Sequence, residues 1–62
     1  MKCTPASVIV ARLSRKYDAN PAWIWDLLDA HFNMIKGLGC VMDPAEVEQL
    51  KELIEEGLGV SA

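Results

Sequence analysis

The chain predicts an all-α fold, a compact three-helix domain, and three observations carry that expectation. A cap-forming residue followed by proline and alanine occurs at Thr4-Pro5-Ala6, at Asn20-Pro21-Ala22 and at Asp43-Pro44-Ala45. Glycines follow the later apolar runs, Gly37 and Gly39 after the second, Gly57 and Gly59 after the third. No stretch alternates apolar and polar residues with the period of a strand. In each tripeptide a side-chain oxygen is placed to accept from free amides, and proline takes the first helical position, where no donor is needed. Glycine supplies the left-handed residue that ends a helix. The expected helices run over 5–17, 21–36 and 44–56, within a single helical domain covering 1–62.

The first helix gathers Ala6, Ile9, Val10, Leu13 and Tyr17 into one arc and sets Arg12, Arg15 and Lys16 opposite. The third has Val47, Leu50, Leu53, Ile54 and Leu58 on one side and Glu48, Glu52, Glu55 and Glu56 on the other. Its start is the most strongly marked, because Asp43 and Glu46 form the reciprocal capping pair. The middle helix differs from both. Asp26, Asp29, Asn33 and Lys36 form a narrow polar strip, and apolar residues fill well over half the circumference. Trp23 and Trp25 fall about 160° apart around its axis, at the two borders of that apolar arc. Trp23 is expected near Leu27 and Met34, and Trp25 near Leu28 and Phe32. Two short helices cover roughly two adjacent stripes of a third, so a surplus of apolar surface is expected on the middle helix.

Composition points the same way. Of 62 residues, 52% are hydrophobic, an excess for a domain whose small size already limits what one core can bury. Net charge is −3, unevenly spread. Residues 1–16 hold Lys2, Arg12, Arg15 and Lys16 with no acid, whereas the nine acids all lie beyond residue 16. Such a balance disfavours binding nucleic acid through bulk charge and suggests a basic face that meets an acidic one. No run approaches the roughly 20 apolar residues of a membrane span. The N-terminal apolar run, Val8 to Ala11, is too short for a signal-peptide core, so a cytoplasmic location is expected, with Cys3 and Cys40 as reduced thiols.

Residues 8–30, VIVARLSRKYDANPAWIWDLLDA, resemble the helix-turn-helix segment of small DNA-binding domains of transposase and regulator type. Leu13 to Tyr17 match the end of the first helix of that unit. Asp18-Ala19-Asn20-Pro21 match its turn, and Ile24 and Leu27 the inward positions of its second helix. The resemblance implies DNA binding, with Arg12, Arg15 and Lys16 as phosphate contacts. Two departures stand against it. Asp18 occupies the position where the family usually has glycine, and the outward residues of the second helix include Asp26 and Asp29 but no cation before Lys36.

The remaining candidates point away from catalysis and from bound metals or cofactors. Cys3, Cys40 and His31 lack the paired spacing of a structural zinc site. Ser7, Ser14 and Ser61 have no glycine-flanked nucleophile turn, and Gly37-Leu38-Gly39 lacks the lysine and spacing of a phosphate cradle. His31, within the apolar arc of the middle helix, reads as a buried neutral histidine bonded to a carbonyl or an acid. The chain is therefore expected to be no enzyme and to hold no cofactor or metal. The expected function is a small protein–protein interaction module, an adaptor or regulator, forming a homo-oligomer or binding another protein through Trp23, Trp25, Leu28 and Phe32. In the plainer view the two indoles only roof the edges of the monomer core. A helix-turn-helix DNA-binding regulator and a structural subunit of a larger assembly are the rivals.

Overall fold

The structure, a computed structural model, describes residues 3–59; Lys2 and Ser61 lie outside them. The order is β1 (Thr4–Pro5), α1 (Ala6–Tyr17), α2 (Pro21–Phe32), β2 (Val41–Met42) and α3 (Pro44–Leu58). The three-helix fold expected from the sequence is what forms, with the addition of a short antiparallel ladder in which Thr4 faces Met42 and Pro5 faces Val41.

That ladder corrects the expected start of the first helix. Thr4 makes no cap; Pro5 is the residue before the helix, with φ −55° and ψ 136°, and no side chain caps the end. The free amide of Ala6 instead donates to the carbonyl of Cys40 at 2.8 Å, so the approaching strand does the work of a capping side chain. The other two caps form as the sequence predicts. Asn20 accepts from the amide of Ala22 at 2.9 Å. Asp43 accepts from Glu46 at 2.8 Å while the Glu46 side chain accepts from the Asp43 amide at 3.0 Å.

The second helix is shorter than expected. It stops at Phe32, because Asn33 takes the left-handed conformation (φ 58°) and the amides of Asn33 and Met34 both donate to the carbonyl of Leu28. Asparagine tolerates that conformation better than most residues. Met34 then folds back into the core outside any helix, while Ile35 and Leu38 are 51% and 69% exposed in the connection to β2. Gly57 is likewise no terminator: α3 runs through it and ends at Gly59, whose φ is 73°.

The core joins Ala6, Ile9, Val10 and Leu13 of α1, Ile24 and Leu28 of α2, Met34, Met42, and Leu50 and Ile54 of α3. No buried side-chain polar atom among the described residues lacks a partner. Trp23, half-buried, lies where α2 meets α3 at Gly57. A Cβ added at Gly57 would stand 2.5 Å and 2.9 Å from two carbons of its indole, so α3 needs a hydrogen there for the ring to lie flat. Gly57→Ala removes a flexible residue from a helix interior, which alone favours stability by about 0.5–1 kcal/mol. The overlap with a rigid ring outweighs that gain, and a net loss of about 1–2 kcal/mol is expected, read by denaturant unfolding together with a shift in tryptophan emission. A variant as stable as the parent would show that Trp23 does not rest on this face.

Candidate functional site

The two indoles part company in the structure. Trp23 faces α3 through Gly57, whereas Trp25 is half-buried at the seam between α1 and α2. At 100° per residue Pro21 and Leu28 lie on the α1 side of Trp25, and Asp29 and Asp26 follow on its other side. Trp25 therefore stands where the covered side of α2 gives way to solvent.

On the α1 side Trp25 and Pro21 form one wall of an open cleft of about 510 Å³. The opposite wall is Ser7, Val10, Ala11 and Ser14 with the stem of Arg15, and Lys36 and Gly37 close one end. The small residues of α1 recur at positions 7, 11 and 14, a helical spacing that keeps that wall low. Ser14 spends its hydroxyl on its own helix, donating to the Ala11 carbonyl at 3.0 Å, so the floor presents little free polarity. Beyond the ring a smaller hollow of about 180 Å³ is lined by Asp26, Asp29, Met34, Ile35 and Lys36 with Trp25. A third, of about 270 Å³, runs past Trp25 to Pro5, Gly39 and Cys40. One indole thus borders three depressions.

Charge is arranged around the same ring. Arg12 and Arg15 are exposed on α1, and Asp26 and Asp29 are exposed on α2. The one ion pair among the described residues is elsewhere, between Lys51 and Glu48 at 3.3 Å on α3. Lys16 turns its ammonium over the Tyr17 ring at 5.5 Å and so belongs to the α1–α3 side. There the Tyr17 hydroxyl donates to Glu55 at 2.7 Å and ties the end of α1 to α3.

Of the residues the sequence assigned to an interface, Trp23, Trp25 and Phe32 are all partly buried at the edge of the core, Trp23 beside Gly57 of α3. Leu28 is corrected: it is fully buried between the helices and cannot meet a partner. His31 is corrected as well. It is exposed in the last turn of α2, one residue before the helix ends. Cys3 and Cys40 are free thiols. Sequence reasoning missed Ser7, Ala11, Ser14 and Lys36, although the small residues spaced along α1 were a visible signal. Among the described residues no three His, Cys, Asp or Glu side chains gather as metal ligands, and no helix is long and apolar enough to cross a membrane.

The first two helices are joined by a short turn. α1 ends on Asp18 in the left-handed conformation (φ 52°), and three residues separate it from α2. The exposed residues of α2, however, are Pro21, Ala22, Asp26, Asp29, Ala30 and His31, with no arginine or lysine among them. Comparison with protein-family models, with curated proteins and with solved structures finds no match to this chain.

Leu28 and Trp25 are predicted to separate in behaviour. Leu28→Ala opens a cavity in the core and should cost about 2–5 kcal/mol of unfolding free energy, whereas Trp25→Ala, at a half-open seam, should cost less; urea melts of the two variants compare them directly. Tyr17 gives a pH prediction. The bond to Glu55, then burial, then the negative charges of Glu55 and Glu48 push its phenol from 10.0 up to about 12. The folded chain holds this proton more tightly than the unfolded one, so the contribution is complete below pH 10 and is lost as pH rises toward 12. Tyr17 is the single tyrosine, so phenolate absorbance during titration reads it without overlap. Tyr17→Phe should flatten that alkaline loss and cost about 1 kcal/mol at neutral pH.

Proposed function

We propose that this chain is a small protein-interaction module, an adaptor or regulator acting in the cytoplasm, that associates with a second copy of itself through the α1–α2 face centred on Trp25. The observation that carries this reading is the indole of Trp25, half-buried along a cleft of about 510 Å³ whose lining is mainly small and apolar, with Arg15 and Lys36 at its edge. Aromatic side chains set in such depressions commonly dominate binding energy, since they desolvate a large area with few rotatable bonds. Phe32, partly exposed on the same side of α2, extends the surface along the helix. The exposed Val8 and Ile35 add apolar area at either side of the cleft region. A binding role also suits a chain that is 52% hydrophobic and too small to bury all of that surface alone.

Light scattering across protein concentrations tests the reading. The parent chain should pass from monomer to dimer as concentration rises, with a shift in tryptophan emission, and Trp25→Ala should weaken the association by roughly tenfold or more. A parent chain that stays monomeric at high concentration overturns it, as does a dimer indifferent to Trp25. The left-handed turn at Asp18 favours DNA binding as a second reading. That reading requires salt-sensitive duplex binding lost in Arg15→Glu, and absence of binding at low salt removes it.

A further inference from the structure

The charges beside Trp25 carry a statement about how two copies meet. One flank is α1, with Arg12 and Arg15 exposed; the other is the polar strip of α2, with Asp26 and Asp29 exposed. Trp25 lies between them, sharing one cleft with Arg15 and the neighbouring hollow with Asp26 and Asp29. Among the described residues neither Arg15 nor the two aspartates forms an ion pair, the one pair being Lys51 with Glu48. Lys36 lines both depressions and offsets one of the two carboxylates, which leaves the α2 flank net negative. A surface with positive charge on one side of an apolar centre and negative charge on the other is complementary to itself after a half-turn about that centre. Displaced or parallel arrangements would instead set like charges together, which is costly at an interface.

We infer that the association is a two-fold symmetric dimer in which the Trp25 rings meet near the axis and Arg15, with Arg12 behind it, faces Asp26 and Asp29 of the other copy. The inference rests on the self-association proposed above. In such an isologous contact each charged flank is used twice, once from each copy. The apolar centre supplies affinity, and the flanks fix orientation and exclude the alternatives. The low wall formed by Ser7, Ala11 and Ser14 is what lets the second copy's ring approach α1 closely.

A charge-exchange experiment on the full chain decides it. One variant is Arg15→Glu, and the other is the pair Asp26→Lys with Asp29→Lys. All three positions are exposed, and circular dichroism verifies that each variant folds. Alone, each variant places like charges opposite one another twice and should dimerise roughly tenfold or more weakly than the parent. Mixed in equal amounts they should form a one-to-one dimer of near-parental strength. In that mixed pair the carboxylate introduced by Arg15→Glu faces the two introduced lysines, and the Arg15 retained by the other copy faces two native aspartates. A mixture that stays monomeric overturns the two-fold arrangement, and so does either variant dimerising as the parent does. If the parent dimer is lost in Trp25→Ala yet is indifferent to the charge variants, the symmetry falls while the self-association reading stands. If the parent chain never dimerises, the self-association reading itself has failed.

Discussion

The structure depends on a single constraint: α2, only twelve residues long, must be covered from two sides at once. Ile24 and Leu28 at its centre are fully buried, and α1 and α3 close over them from different directions. An indole stands at each seam. On the α3 side the ring of Trp23 lies close against a residue with no side chain, Gly57. On the α1 side Trp25 meets Ser7, Ala11 and Ser14, which lower the opposing wall without bringing it into contact along its length, and a cleft is left. The same device, small residues opposite a large flat ring, recurs on both sides of α2.

Much of this was legible in the sequence, and the failures have physical causes. Asn20 and Asp43 could be recognised as caps because their bonds are local, reaching amides two and three residues away. Thr4 could not be judged the same way. Whether its side chain caps α1 depends on whether another part of the chain arrives first, and the backbone of Cys40 does. The end of α2 was misplaced for a related reason. Met34 and Ile35 continue an apolar run, so the pattern invites a longer helix. Met34 satisfies its burial from a loop after Asn33 turns the chain, and Ile35 does not satisfy it at all. Periodicity reports which residues seek cover but not which backbone carries them there.

The candidate surface divides in the same way. The opposition of Trp23 and Trp25 follows from their separation of two residues and could be read directly. Where the Trp23 ring would rest could not, because that depends on Gly57, thirty-four positions further along the chain and legible beforehand only as a helix stop. Leu28 was grouped with Trp25 because the two are neighbours on the helix surface. About 60° of rotation separates them, enough to carry one into the core and leave the other at its edge.

The charge layout supplies the last step. Tyr17 and Glu55 join α1 to α3 through one short hydrogen bond, so opposite surfaces of the chain that lie close enough do find one another. Arg15 and the carboxylates of Asp26 and Asp29 do not, although they border the same tryptophan. At exposed positions in water the attraction between such charges is weak. What is weak within one copy changes when a second surface displaces that water, because the same charges then act through a less screening medium across a shorter gap. In the proposed dimer a tryptophan flanked by unlike charges, a marginal feature of one copy, would become an ordered one of the pair. That difference, more than the apolar area alone, would give the half-buried ring a direction in which to be covered.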